Sequence, residues 1–365
     1  MKLKFLNNYL EKITIETTNL CNLKCKTCFL TGIKEKKISF FNNKSCNFTF
    51  ELFKKLVEQL KRFEDYNDIT INLSGGEPFL NPNIFNILKH AKKQKVKLMI
   101  FTNGTHNDKK IFSELIKNQT SALMFSIDGN SVDHDANRGN GNFNRTLESI
   151  KKLQIMKENI NFYLPLLAIN TVINKLNVGS FDSVLSLAED VKCDVLSFSL
   201  AQWSNSLIID KCVNEFHERF NVYEERAKLI EGLDNKLGKL NKKEINEVVR
   251  KINLIKRKLS EKSRMRVLFF PDFDSDKKYK KWFSDGCHKI NSCPNVFKQI
   301  RIDQNGDVFP GCSISFYYLG NIKKMPLEEI LNGQRAKKLF NEIKNNGLFY
   351  VCQRCCRRSP ESKIL

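Results

Sequence analysis

Ile69-Thr70-Ile71-Asn72-Leu73 runs directly into Ser74-Gly75-Gly76-Glu77-Pro78. Ile69, Ile71 and Leu73 recur with a period of two, which reads as a strand. The two glycines that follow let a backbone approach a ligand closely, and Glu77 adds an acceptor for an ammonium group. In α/β sheets ligands bind beyond the carboxyl ends of strands, so the loop is a candidate binding element. Alone, a Gly-Gly-Glu run is an ordinary turn.

The flanking sequence repeats the same unit. Ile13 to Thr17 reads as a short strand. Thr49 is placed to cap a helix whose apolar stripe is Leu52, Phe53, Leu56, Val57 and Leu60. Asn81-Pro82 opens a second helix. Strands follow at Val96 to Phe101, Ala122 to Ile127, Phe162 to Val172 and Val195 to Leu200. Between them lie helices at Asp108 to Lys117, Asn144 to Met156 and Ser180 to Val191. Strand–helix repeats imply a parallel sheet with right-handed crossovers. The expected fold is therefore α/β, a partial (β/α)6 parallel barrel over residues 1–204. Residues 205–282 read as a helical, charged connecting segment, in which Ile245, Val248, Val249, Ile252, Ile255 and Leu259 form one stripe covering the barrel. Residues 283–365 read as a small C-terminal α+β subdomain. There Gln304-Asn305-Gly306 joins two short strands as a hairpin, and short helices follow near Leu327 to Leu331 and Arg335 to Lys344.

Twelve cysteines is a high count for a chain without a signal peptide. Clustered cysteines in a reducing compartment are metal ligands more often than disulfides. Cys21, Cys25 and Cys28 sit on one loop at the carboxyl end of the first strand. Thiolates are the soft ligands that iron–sulfur clusters require. Three of them hold three irons of a cubane and leave the fourth iron open, the mark of a catalytic rather than a structural site. The competing reading is a zinc knuckle short of one ligand, and the Gly-Gly-Glu loop on the neighbouring strand end weighs against it.

These two motifs resemble the radical S-adenosylmethionine superfamily over roughly residues 12 to 202. The resemblance implies that the cofactor's amino and carboxylate groups chelate the open iron, and that Gly75, Gly76 and Glu77 receive the methionine amine. It implies reductive cleavage to methionine and a 5′-deoxyadenosyl radical, which abstracts hydrogen from an unactivated C–H bond. Ser126 and Asp128 are expected near the ribose and Arg138 near the carboxylate. Thr102-Asn103-Gly104, His134-Asp135, Asn170, Val172 and Asn177 occupy further strand-end positions that fit less specifically.

The tail resembles a SPASM or twitch subdomain over roughly residues 287 to 356. Cys293, Cys312, Cys352 and Cys355 match the pattern for one auxiliary 4Fe-4S cluster, with Cys287 as a ligand that could replace one of them. No further cysteine series follows Cys355, so one auxiliary cluster is expected, not two. A structural zinc site, joined by His288, is the alternative. Cys356 or Cys287, where not a ligand, is a candidate thiol for hydrogen donation. Cys46, Cys193 and Cys212 read as ordinary thiols, and His90, His106 and His217 as surface residues.

Composition bounds the rest. At 41% apolar the chain is not disordered, and no segment has the uninterrupted apolar length of a membrane span. With no signal peptide the expected location is the cytoplasm. The net charge of +21 comes from 61 basic against 40 acidic residues. It raises an RNA-modifying reading, but no RNA-binding motif accompanies it and a nucleic-acid partner is not expected. A non-catalytic iron–sulfur protein is a further reading, and the intact Gly-Gly-Glu loop opposes it.

An auxiliary cluster favours oxidative outcomes. Two substrate classes compete: a small molecule such as a sugar or nucleotide sugar, and a ribosomally made peptide receiving a thioether, a carbon cross-link or an epimerisation. About twenty residues precede Cys21, too few for a leader-binding domain. Ser313 stands where sulfatase-maturing relatives place an acid, and the end Lys363-Ile364-Leu365 lacks the Gly-Gly of the molybdenum-cofactor branch. The expectation leans to the small molecule, with flavodoxin or ferredoxin as reductant.

Overall fold

A short antiparallel hairpin, β1 (Lys4–Phe5) with β2 (Asn8–Tyr9), leads into β3 (Lys12–Thr18). The computed structural model describes residues 2–6, 8–35, 46–203, 205–220, 236–259, 264–283, 293, 295–311 and 316–355. From β3 the sheet grows in sequence order through β4 (Thr70–Gly75), β5 (Lys97–Thr102), β6 (Ala122–Ser126), β7 (Leu166–Ile173) and β8 (Val195–Leu200), each parallel to the last. The α/β fold read from the strand–helix repeats is thus the fold found.

Why these strands form is visible in their two faces. Ile13, Ile15, Ile71, Leu73, Ile100, Leu123, Leu167, Ile169 and Leu196 turn outward beneath the helices and join one continuous core. Met99, Met124, Ala168 and Val195 turn inward and form a second, smaller cluster, with Phe101, Leu166 and Leu268 against it. Both faces of the parallel sheet are therefore covered, so strand sequences are apolar without a clean alternation.

The helices pack on the outer face. After the short α1 (Phe29–Glu35), α2 (Phe50–Leu60) buries Leu52, Phe53, Leu56, Val57 and Leu60, and each contributes about 1.5–3 kcal/mol by leaving water. Thr49 caps it, its hydroxyl accepting from Leu52 N at 3.2 Å. α3 (Ile84–Lys93) begins later than Asn81-Pro82 because Asn81 is engaged elsewhere: its amide donates to Thr17 O and Phe48 O. α4 (Lys109–Lys117) is capped by Asp108. α6 (Asn142–Asn159) and α7 (Ser183–Asp190) follow the expected places. Before α6 lies a helix absent from the sequence reading, α5 (Ser131–Arg138), capped by Asn130. It is polar throughout and lacks the apolar period that marks a helix; its buried residues are His134 and Asn137.

The stretch read as a helical connector contains α8 (Ser206–Phe220) and α9 (Lys242–Leu259). Val248, Val249, Ile252 and Ile255 of the stripe are buried in the core, as a covering helix requires. The same stretch also holds a strand. β9 (Arg266–Phe270) pairs parallel with β8 and adds a seventh parallel strand in sequence order. Five apolar-leaning residues between long charged runs were averaged away in a reading by composition.

After α10 (Asp276–Phe283) come β10 (Gln299–Ile302) and β11 (Asp307–Pro310), an antiparallel hairpin turning through Gly306 at φ +85°. β12 (Gly320–Asn321), α11 (Leu327–Asn332) and α12 (Gln334–Asn346) complete the described order. The hairpin is not a separate sheet: β10 lies parallel to β3, so the order is β12-β11-β10-β3-β4-β5-β6-β7-β8-β9. No helix among the described residues is long and apolar enough to cross a membrane.

Candidate active site

The loop carrying Cys21, Cys25 and Cys28 leaves β3 at its carboxyl end, after an irregularity in the β3–β4 pairing between Glu16 and Thr18. Cys25 is buried, Cys28 half-buried and Cys21 exposed. Burial pushes the Cys25 thiol up to about 11 against the pull of Arg138, and Cys21 and Cys28 each add to the rise. Burial also raises Cys21, opposed by Leu23 N, which donates to its sulfur at 3.4 Å. The three thiols are thus electrostatic neighbours that gain by exchanging protons for a cation. Among the described residues no three His, Cys, Asp or Glu side chains converge as ligands of a single metal ion.

The Gly-Gly-Glu loop is built against this loop. A Cβ on Gly76 would lie 1.9 Å from Leu20 O, so only glycine allows the approach. Gly76 N donates to Thr18 O at 2.7 Å and Glu77 N to Leu20 O at 2.8 Å. Gly75 stands at φ +112°, where a Cβ would meet Thr18 O at 2.6 Å. Glu77 is buried, and its carboxylate faces the end of β5: it accepts from Thr102 Oγ1 at 2.8 Å and Asn103 N at 2.9 Å. Burial pushes it up to about 7 despite those hydrogen bonds. Asn103 in turn donates to Asn22 Oδ1 at 2.8 Å and approaches Cys21 Sγ at 3.9 Å. The cluster loop, the glycine loop and the end of β5 therefore form one hydrogen-bonded frame.

Asp128 and Arg138 meet as an ion pair. Asp128 is wholly buried. Its Oδ1 accepts from Val172 N at 2.9 Å, and its Oδ2 from Asn137 Nδ2 and Arg138 Nε, both at 2.7 Å. Burial opposes its ionisation most strongly, yet Arg138, the Val172 N–H and His134 together outweigh burial, and the carboxyl is held below its usual range. With these partners Asp128 anchors the guanidinium. Arg138 Nη1 lies 3.9 Å from Cys25 Sγ. Asn137 ties the same helix to the cluster loop: its Oδ1 accepts from Thr27 N at 3.1 Å, and its O from Lys26 N at 3.0 Å. His134, also wholly buried, accepts from Asp128 N at Nδ1, and burial drops it to about 4.

Ser126 ends β6 half-buried, beside Asn170 in register. Asn170 Oδ1 accepts from Ser197 and Ser199, which sequence reasoning missed although both alternate along β8. Also missed were Thr27, Asn137 and the inward ion pair Arg301–Glu16 at 2.5 Å. Their partners are too distant in sequence to signal locally.

In the tail, Cys352 is buried on a 3-10 turn (Tyr350–Arg354) and Cys355, also buried, closes its end, with Cys355 N donating to Cys352 O at 3.2 Å, while Cys293 is half-buried. Glu215 and Arg219 of α8 hold this turn through Tyr350 N and Gly347 O. Cys287, His288, Cys312, Ser313 and Cys356 lie outside the described residues. Cys193 and Cys212 are core thiols, as expected.

A parallel α/β sheet whose carboxyl end gathers three thiols and a glycine cradle defines an iron–sulfur enzyme of the partial-barrel class. Residues 15–167 match the Radical SAM superfamily and residues 293–356 the SPASM iron–sulfur cluster-binding domain. The chain belongs to that superfamily and carries a C-terminal SPASM domain; its cofactors are S-adenosylmethionine, the superfamily's 4Fe-4S cluster and auxiliary iron–sulfur. It is similar to the antilisterial bacteriocin subtilosin biosynthesis protein AlbA of Bacillus subtilis (strain 168), 34% identical over 144 residues, 38% of this chain and 30% of that protein. It is also similar to the radical SAM cyclopropyl synthase TigE of Paramaledivibacter caminithermalis, 28% identical over 243 residues, 62% of this chain and 48% of that one. The chain thus matches less than half the length of either. Among solved structures, Streptococcus suis SuiB bound to S-adenosylmethionine shares the fold at TM-score 0.63 and 16% identity, covering 92% of this chain and 68% of that one.

Proposed function

We propose that this chain modifies a side chain or backbone carbon of a peptide. The observation that carries the reading is the similarity to AlbA, a bacteriocin biosynthesis protein, at 34% identity over 144 residues. The SuiB fold adds weight, since SuiB has been solved with its precursor peptide SuiA. These neighbours outweigh the lean toward a small molecule drawn from the sequence.

The chain's own residues support the chemistry. Cys21, Cys25 and Cys28 hold the cluster, and Gly75, Gly76 and Glu77 form the loop that receives the methionine end of the cofactor. Glu77 acts there by holding Asn103. Ser126 and Asn170 line the inner face toward the ribose, and Arg138 presents its charge at the cluster. What the bound cluster and S-adenosylmethionine supply is a 5′-deoxyadenosyl radical that abstracts hydrogen. The inner face offers that radical a mixed lining, apolar at Met99, Met124 and Ala168 and polar at Glu16 and Arg301. One auxiliary cluster would be held by Cys293, Cys312, Cys352 and Cys355, with Cys287 as the alternative ligand, and would supply an acceptor for an electron left by oxidation. A small acidic carrier, flavodoxin or ferredoxin, is the reductant. Cys356 or Cys287 is the thiol for an epimerising outcome.

The test is 5′-deoxyadenosine formation by the anaerobically reconstituted, reduced protein, with Cys25→Ala as control. Stimulation by the peptide fraction of a cell extract, and not by its small-molecule fraction, is the expected result. Stimulation only by sugars or nucleotides overturns the peptide reading.

A further inference from the structure

Two of the three cluster sulfurs each face a side-chain N–H delivered from a neighbouring strand end. Arg138 Nη1 stands 3.9 Å from Cys25 Sγ and Asn103 Nδ2 3.9 Å from Cys21 Sγ. Neither donor is a loose surface group. Asn103 is buried, with its Oδ1 accepting from Thr105 N at 2.9 Å and Thr105 Oγ1 at 2.7 Å, and its backbone N–H bound by Glu77. Arg138 is pinned by a wholly buried carboxylate whose other oxygen is held by Val172 N. The guanidinium side chain is 11% exposed, so water screens its charge poorly.

We propose that Arg138 and Asn103 set the reduction potential of the cluster held by Cys21, Cys25 and Cys28, and that Asp128 and Asn137 are positioning residues for that function. Reduction adds one negative charge to a thiolate-ligated cluster. N–H groups directed at its sulfurs and a nearby cation favour the reduced form, which raises the potential. The two donors are unequal. Cys25 faces a charged donor and Cys21 a neutral one, so Arg138 carries the larger share. Asp128 offsets part of the cation's field, but it binds at Nε, on the far side of the fork from the nitrogen that faces Cys25. Its service is orientation: it stops the guanidinium turning toward bulk water. Asn137 adds the second constraint, since it bonds both Asp128 and the cluster-loop residue Thr27 and so fixes the sulfur relative to the guanidinium. The inference concerns only the superfamily's cluster and holds whatever the substrate is.

The measurement is a redox titration of the reconstituted full-length protein without S-adenosylmethionine, following by electron paramagnetic resonance the signal that Cys25→Ala lacks. Arg138→Gln, which keeps a neutral N–H for Asp128, is expected to lower the reduced-to-oxidised ratio at fixed potential about tenfold. For a one-electron couple that is a midpoint about 59 mV more negative. Arg138→Lys is expected to restore most of it, and Asn103→Ala to move the midpoint the same way by less. An unchanged midpoint in Arg138→Gln, together with weaker S-adenosylmethionine binding, overturns the proposal and gives Arg138 to the cofactor's carboxylate instead. If Arg138→Gln cannot hold the cluster, Asn103→Ala decides, because it leaves the Asp128 pair intact: an unmoved midpoint there overturns the proposal too.

Discussion

Replacing Gly76 by alanine perturbs the cofactor loop without altering a charge or a ligand. The new Cβ would lie 1.9 Å from Leu20 O and 2.5 Å from Leu20 C, where contacts below 3.0 Å are essentially never tolerated. Closing the gap from 1.9 to 3.0 Å requires a displacement of about 1.1 Å, and the obstructing atoms are backbone, so no side chain can swing aside. The hydrogen bonds from Gly76 N to Thr18 O and from Glu77 N to Leu20 O are the first to stretch. Losing both costs about 1–3 kcal/mol. Leu20 directly precedes Cys21, so the movement passes into the cluster loop. A displacement near 1 Å in a reacting assembly lowers a rate by about 100-fold.

The expected result for Gly76→Ala is therefore 5′-deoxyadenosine formation about 100-fold slower, and an apo chain less stable by about 1–3 kcal/mol in urea. Gly179→Ala is the control, since its added Cβ would meet nothing within 4 Å and its φ is not left-handed. That variant should keep wild-type turnover and stability, or gain about 0.4–1 kcal/mol from a stiffer unfolded chain. A Gly76→Ala protein with full iron content and turnover within threefold of wild type refutes the claim that the two loops are in obligatory contact.

Three further outcomes are expected. Thr49→Ala removes the side-chain cap of α2 and should lower stability by about 0.5–2 kcal/mol in urea, with Thr49→Ser recovering most of it. Asn81→Ala removes a donor from the buried Phe48 carbonyl and one of the two donors of Thr17 O, which keeps Phe48 N, and should cost about 1–3 kcal/mol without touching Cys21, Cys25 or Cys28; a loss below 0.5 kcal/mol would show that water replaces the side chain. His134 is held neutral in the fold, chiefly by burial and next by Arg138, with its pKa lowered from 6.5 to about 4. Between those values the unfolded chain binds a proton that the folded chain refuses. Stability contributed by the neutral ring is fully present above pH 6.5 and falls as pH drops toward 4, by at most about 3 kcal/mol. Urea midpoints of the apo protein between pH 7 and pH 4 should show this fall, and His134→Gln should lack that component.

How much could be read before the structure depended on how local each signal was. Cys21, Cys25 and Cys28 announce themselves because three cysteines fall within one loop, and Val195 to Leu200 because Leu196, Phe198 and Leu200 recur with a period of two. Asn305-Gly306 marks its hairpin for the same reason. α5 escaped because Ser131–Arg138 is polar and buries little beyond His134 and Asn137. β9 escaped because its pairing with β8 is not written in its own five residues. The site shows the same division more sharply. The residue types of Asp128 and Arg138 pointed to polar chemistry, but their roles depend on Val172, 44 residues away, and the helix they pin depends on Thr27, 110 residues from Asn137. No motif encodes such partners, so the ion pair that Asp128 makes with Arg138 could not be read from the residue types alone.

The placement of β10 has a consequence for how the two halves of the molecule cooperate. Gln299 to Ile302 pair in register with Lys12 to Ile15, the strand that ends at the cluster loop. Lys298 reinforces the join through a 2.9 Å ion pair to Glu11 and a backbone bond from Glu11 N at 2.7 Å. On the inner face the same junction carries Arg301 and Glu16. Separating the C-terminal hairpin from the barrel therefore means breaking a strand ladder and two ion pairs. A flexible linker would let the distance between the cysteine-rich tail and the cluster loop vary. A shared sheet fixes the hairpin against the strand that ends at the loop of Cys21, Cys25 and Cys28. The hairpin's turn glycine also packs on Leu52 and Ile322, so the helix capped by Thr49 sits under the same junction. Damage to that outer helix should accordingly reach the tail as well as the barrel.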